Sequence, residues 1–300
     1  MIIQIYEIQT PREAEKCLEA GVDHIGSVIL SERDWRLPDL RETIRVCDGT
    51  GVKNSIIPLF RDVDRISRAM DYYRPGLVHL CESLTDEQGL LKDLEGYVEA
   101  QRKIRERFPE IRITRSIPIP VKGSVSEFPT LAIARELEMV SDLFQTDTWI
   151  GKEPVEGFIG ITGKICDRRI ARELVIRSRI PVILAGGLSP ENVFEALMDV
   201  RPAGADSCTL TNSLDRKGKP VRFKKDFVKV KEFVIETRRA KEMLPDKKEQ
   251  VKREIEELKE LLADRKAALP AHSIRPHQIL AIEELEDEIA AKEKELAGLK

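Results

Sequence analysis

The sequence predicts an α/β protein, a closed (β/α)8 TIM barrel followed by a C-terminal helical hairpin extension. Three observations carry the prediction. Eight short stretches rich in β-branched residues recur through residues 1–244, with helical patterns between them. Several of these stretches, such as Val182-Ile183-Leu184, are nearly continuous apolar runs. A parallel strand covered on both faces requires that pattern. Finally, eight strand–helix units in about 240 residues match the size of a barrel of this kind, ~250 residues. An open doubly wound sheet is the alternative, but no Gly-x-Gly-x-x-Gly fingerprint follows the first stretch.

The expected strands lie at 2–8, 23–30, 55–60, 76–81, 111–117, 142–147, 181–186 and 204–209. The first helix is well marked. Thr10 is a capping residue, Pro11 sits in the first turn, and Gly21 ends the run after Ala20. Ser189-Pro190-Glu191 opens another helix in the same way. Beyond Pro245 the character changes. Residues 245–300 hold 14 acidic and 11 basic side chains, whereas 1–244 hold 39 of each sign. Domains are therefore expected at 1–244 and 245–300. In the tail, Val251, Ile255, Leu258 and Leu262 form one apolar stripe, and Ile282, Leu285, Ile289, Leu296 and Leu299 form another, interrupted by Lys292. The prolines of the stretch 269–277 forbid one continuous helix, so two amphipathic helices are expected, as a coiled-coil-like hairpin or a surface for oligomerisation.

Composition excludes several classes. The 300 residues carry 50 Lys plus Arg against 53 Asp plus Glu, a formal net charge of −3, which lacks the basic excess of a nucleic-acid binder. Apolar residues make up 41%, enough for a core, and no apolar run approaches the ~20 residues of a membrane span. Met1 to Glu7 has neither the basic segment nor the cleavage site of a secretory signal. Five cysteines without a Cys-x-x-Cys pair suit reduced thiols in a cytoplasmic protein. The expected partner is thus a small molecule, with no nucleic acid and no membrane.

Two glycine motifs carry the chemistry. In Leu184-Ala185-Gly186-Gly187-Leu188-Ser189-Pro190, a buried strand runs into paired glycines. These either serve a tight turn or let backbone N–H groups approach an anion such as phosphate. Gly160-Ile161-Thr162-Gly163 is a second, weaker cradle. Histidines add little. His24 reads as structural, and His79 with Cys81 reads as packing or as part of a barrel mouth. His272 and His277 flank Pro276, which argues against a metal-binding helix, so no metal site is expected.

Taken in order, Glu19-Ala20-Gly21-Val22-Asp23-His24-Ile25-Gly26, Leu143-Phe144-Gln145-Thr146-Asp147-Thr148, Gly160-Ile161-Thr162-Gly163 and Leu184-Ala185-Gly186-Gly187-Leu188 resemble the phosphoribosylanthranilate isomerase family over roughly residues 1–235. That resemblance implies a (β/α)8 barrel performing a cofactor-free Amadori rearrangement of an aminoaldose phosphate in tryptophan biosynthesis. The chemistry asks for a general acid at the ring oxygen, a general base at C2′ and a phosphate site. Asp147 matches the family's acid, the alternative being a turn or helix-capping residue. Gly160, Thr162, Gly163, Gly186 and Gly187 match its phosphate loops. The base does not match. The family's first strand ends Lys-x-Cys-Gly, with the cysteine as base, and Gln4-Ile5-Tyr6-Glu7 stands there. Tyr6 takes the cysteine's place, although a phenol ordinarily titrates near ~10. Glu7 is the better base chemically, but strand alternation turns it away from Tyr6 unless the strand has ended. The alternative for both is simple packing. Arg33, or else Arg36, takes the role of the arginine that holds the anthranilate carboxylate, unless both are solvated. His79-Leu80-Cys81 replaces Gln-x-His, Arg115 replaces the lysine of strand five, and Leu210 replaces a phosphate-loop glycine, where it would crowd the anion. Three readings follow. One is an isomerase of this type with a displaced base. The second is a sugar-phosphate enzyme of another reaction on the same barrel. The third is a non-catalytic phosphate-binding or assembly protein.

Overall fold

A computed structural model describes residues 1–125, 127–269 and 275–299. The chain forms two compact units, Met1–Glu242 and Met243–Lys300. The first is the barrel. In chain order it runs β1 (Ile2–Ile5), α1 (Pro11–Ala20), β2 (His24–Ile29), α2 (Pro38–Arg45), β3 (Lys53–Pro58), α3 (Val63–Tyr73), β4 (Leu77–Leu80) and α4 (Glu95–Arg107). It continues with β5 (Arg112–Pro120), α5 (Thr130–Glu138), β6 (Leu143–Trp149), α6 (Arg168–Arg177), β7 (Val182–Leu184), α7 (Val193–Val200) and β8 (Gly204–Ser207). A hairpin of β9 (Asn212–Leu214) and β10 (Pro220–Lys225) follows, then α8 (Phe227–Met243). The eight strands are parallel neighbours in sequence order, and β8 closes on β1.

Most strand residues are covered on both faces. All residues of β2, β4, β6, β7 and β8 are buried. The helices begin and end where chain chemistry dictates. At α1, Thr10 accepts from the Glu13 N–H, Pro11 occupies the first turn, and Gly21 closes the helix at φ 83°. At α6, Asp167 caps the N–H groups of Arg169 and Ile170. One expectation fails: α7 starts at Val193, not near Ser189. Asn192 instead accepts from the Ser189 N–H and donates to the Gly187 carbonyl, so it staples the glycine turn rather than extending the helix. The β9–β10 hairpin was not expected either. Its alternation of half-buried and exposed residues leaves only a weak pattern.

The second unit holds α9 (Lys247–Ala267) and α10 (Pro276–Gly298), packed on each other. Asp246 caps α9. Val251, Ile255, Leu258, Leu285 and Ile289 are buried. Lys292, which breaks the apolar stripe, donates to the buried Glu254 at 2.7 Å, so a charge pair fills that break. Lys259–Glu293 and Lys266–Glu286 bridge the two helices at 2.7 and 2.6 Å. His277 lies in the first turn of α10, and His272 lies outside the described residues. No helix among the described residues is long and apolar enough to cross a membrane, and the five cysteines are unpaired.

Candidate active site

In a parallel barrel the C-terminal strand ends form the mouth, and side chains from alternate strands share a layer. Here that mouth holds two adjoining cavities. The first is walled by Asp147 and Thr148 at the end of β6 and by Gly160–Gly163 in the loop beyond it. Ala185–Leu188 after β7 complete it, with Asp206, Cys208, Thr209 and Leu210 at and after β8. The two glycine motifs, more than 20 residues apart in sequence, therefore face one space. The second cavity is mostly apolar. Val28, Ile57, Leu59, Val155, Phe158 and Ile159 line it together with Tyr6, Glu7, Cys81 and Arg222. Ile161 and Cys208 belong to both cavities.

The glycine loops are shaped by constraint. Gly160, Ile161 and Gly163 all have positive φ, at 113°, 53° and 64°. Ile161 is β-branched, and such a residue in the left-handed region is strained by about 1–3 kcal/mol. A side chain at Gly160 would come within 3.0 Å of Asp147 Oδ1. At Gly187 (φ 65°) it would strike the Lys164–Ile165 peptide at 2.6–2.7 Å. Thr148 Oγ1 donates to the Lys164 carbonyl at 2.7 Å and ties the longer loop to β6. Thr162 accepts from the Lys164 N–H at 3.1 Å. Leu210 does line the cavity, beside Gly163.

Asp147 is 8% exposed. Burial, with the like charge of Asp206 adding to it, holds its carboxyl well above the usual range, against the hydrogen bond from Ser116. It therefore keeps its proton far more readily than a surface aspartate. Ser116 donates to Oδ2 at 2.6 Å, which leaves Oδ1 facing Gly160. The bond begins a chain. Ser116 Oγ meets His79 Nε2 at 2.7 Å, His79 Nδ1 meets the Tyr6 hydroxyl at 2.8 Å, and that hydroxyl meets Ser55 Oγ at 3.0 Å. Burial and the Arg115 charge lower His79 to about 3, so it is neutral. Since Ser116 gives its proton to Asp147, it accepts from His79 Nε2–H. Nδ1 is then bare and accepts from Tyr6, whose oxygen accepts from Ser55.

Asp206, 4% exposed, was absent from the sequence expectations. Its carboxyl is raised to about 7, chiefly by burial, against the hydrogen bond from Gln4 and the charge of Lys225. Gln4 Nε2 donates to Asp206 at 3.2 Å and to Gln145 at 2.5 Å, and Gln4 Oε1 meets His24 Nδ1 at 3.2 Å. Asp206 had a sequence signal: an ionisable residue within the fully buried strand Gly204-Ala205-Asp206-Ser207. His24 and His79 both belong to interior polar networks.

The remaining expected residues are either held in other contacts or lie outside the cavities. The strand has ended by Glu7, which takes φ 63° and turns to the hairpin. There it accepts from Arg222 Nε at 2.6 Å and from Asn212 at 3.2 Å. Arg115 lies outside both cavities, paired with buried Glu82 at 2.5 Å and facing the Tyr97 ring. Arg33 is exposed and lines neither cavity, and Arg36 stacks on Tyr72. The arginine beside the apolar cavity is Arg222, on the hairpin that sequence patterning missed.

Fold and mouth together define a (β/α)8 barrel with an acidic, glycine-walled site. No family model matches the chain. N-(5'-phosphoribosyl)anthranilate isomerase 2 of Methanosarcina mazei is 32% identical over 249 residues, covering 79% of this chain and all of that protein. The N-(5'-phosphoribosyl)anthranilate isomerase of Methanocella arvoryzae is 28% identical over 247 residues, 79% of this chain and 97% of its own. Among solved structures, phosphoribosyl anthranilate isomerase of Thermotoga maritima superposes with a TM-score of 0.58 at 24% identity, covering 79% of this chain and 99% of that one. The chain belongs to the N-(5'-phosphoribosyl)anthranilate isomerase family. The expected barrel, helical extension and family are all found.

Proposed function

We propose that the chain isomerises N-(5'-phosphoribosyl)anthranilate by an Amadori rearrangement, the step of tryptophan biosynthesis for which its family is named. One observation carries the reading: the retained acid, Asp147, and both glycine loops wall a single cavity in a member of this family. A solved relative is described in complex with reduced 1-(o-carboxyphenylamino)-1-deoxyribulose 5-phosphate. Asp147 Oδ1 delivers a proton to the furanose ring oxygen. The C1′–O bond then breaks as the nitrogen lone pair forms the iminium. Removal of the C2′ proton gives an enolamine, which tautomerises to the ketone. The backbone N–H groups of Gly160–Gly163 and Gly186–Leu188 take the phosphate, and the apolar cavity takes the aromatic ring. No step calls for a cofactor.

The test is growth without tryptophan of a bacterial host lacking its own isomerase. The full chain should restore growth and its Asp147→Asn variant should not. A folded wild-type protein that neither restores growth nor turns over the substrate in vitro would defeat the reading. In that case, a thermal shift with sugar phosphates would favour the other sugar-phosphate chemistry on this barrel.

A further inference from the structure

We propose that the base displaced from the end of β1 is Asp206 on β8, acting across the cavity from Asp147. The inference rests on the isomerase reading and supplies the residue that reading lacks.

Strand register places the two carboxylates. Gln145 of β6 pairs with Ile183 of β7, which pairs with Gly204 of β8. Two residues onward along each strand, Asp147 and Asp206 are in register on either side of Ala185, and the tilt of the strands sets Asp206 one layer deeper, beside Gln145. They come from alternate strands and both point into the barrel. Both wall the cavity that carries the glycine loops. Asp206 is aimed by Gln4, and Gln4 is itself fixed by Gln145 and His24.

The competing groups on the two cavities are engaged or in the wrong protonation state. The Tyr6 hydroxyl donates a hydrogen bond to neutral His79, and burial raises its phenol further above 10. Glu7 is bound to Arg222 and Asn212. Burial raises the thiols of Cys81 and Cys208 well above 9, so neither supplies a thiolate near neutrality. The charged and titratable groups around Asp206 are Asp147 on β6, Tyr6 just beyond β1, Cys208 just beyond β8, and Lys225 on β10. Lys225 donates to the Cys208 carbonyl. His24 lies one glutamine away. A general base works best when it titrates near the working pH, and a protonated partner alongside it is the arrangement acid–base catalysis needs. The protons balance: Asp147 releases one to the ring oxygen while Asp206 accepts the one leaving C2′. Transfer from Asp206 back to Asp147, directly or through solvent, resets the pair.

The experiment measures kcat and KM against pH for the full chain, with Asp206→Asn, Asp206→Glu and Tyr6→Phe as variants. In the wild type, kcat/KM should rise with pH through about 7 as Asp206 ionises. Asp206→Asn should lower kcat by roughly 10²–10⁴-fold with KM changed only a few-fold, and should erase that limb. Asp206→Glu should restore part of the rate with the limb displaced, which a merely structural aspartate would not do. Tyr6→Phe should keep the limb. The proposal is overturned if Asp206→Asn keeps both rate and limb, or if Tyr6→Phe removes the limb. A wild-type chain with no turnover at all overturns the isomerase reading and the base with it, and is distinguished from the other outcomes by that fact.

Discussion

A carboxyl held far above its unfolded titration point is a source of instability, and Asp206 gives the effect a measurable size. Its folded value is about 7 against 3.8 for the free side chain. The unfolded chain therefore ionises there first. The associated stability is fully present below pH 3.8 and is lost as pH rises through about 7. At 1.36 kcal/mol per unit, the penalty is about 1 kcal/mol at pH 4.5 and about 4 kcal/mol at pH 7.5. Asp206→Asn keeps an oxygen to accept from Gln4 but carries no charge. Relative to wild type, the variant should thus gain on the order of 3 kcal/mol between pH 4.5 and 7.5. Urea unfolding of the full chain, followed by a barrel tryptophan, reads the difference at each pH. Comparing two proteins at the same pH cancels the opposite trend from His79, which wild type and variant share. A difference that stays flat across this range would refute the claim that Asp206 sits in a desolvated site.

Three other perturbations follow from the same geometry. His79 is lowered to about 3, so its stability contribution is lost as pH falls from 6.5; His79→Gln should flatten the acid limb of unfolding by about 2 kcal/mol between pH 6.5 and 4.5, seen as a shift in urea midpoint. Gly187→Ala forces a methyl onto the Lys164–Ile165 peptide at positive φ, and should raise KM for a phosphorylated substrate at least tenfold while an unphosphorylated analogue shows no such change. Arg222→Leu strands the buried Glu7 carboxylate, and should lower stability by about 2 kcal/mol at neutral pH, the half-exposed arginine moderating the loss; Glu7→Gln on the same background should recover most of it, by thermal melts.

Much of the barrel was legible because its code is local. Val182-Ile183-Leu184 reads as a doubly covered strand, and Thr10, Pro11 and Gly21 bracket α1 by backbone chemistry alone. Asp147 and the glycine loops were legible for a different reason. They follow one another along the chain in an order that a known family shares. What was hidden is contact between distant strands. Nothing near Glu7 in sequence announces Arg222, 215 residues away, or that φ 63° would turn Glu7 toward it. Arg115 looked like a binding residue, but strand alternation settles its direction. Ser116, its neighbour on β5, points inward to His79, so Arg115 points outward to Glu82 and Tyr97. Asp206 could have been found as a charge within an otherwise buried strand.

The tyrosine in the place of a catalytic cysteine makes sense as filling rather than chemistry. Its ring lies so close over Gly26 that even a Cβ there would overlap it. A bulky residue at the end of β1 therefore needs a bare backbone on β2. Its hydroxyl, buried in the barrel, would be costly without partners, by about 1–3 kcal/mol. Ser55, His79 and Ser116 provide them in a line that ends on Asp147 Oδ2. The order of protons along that line is fixed at one end by the serine that bonds the acid, and it leaves Asp147 Oδ1 as the oxygen free for substrate. A residue that has lost the base's position thus still bears on the acid's orientation. The proton-accepting role then falls to the other carboxylate that walls the acid's cavity, Asp206.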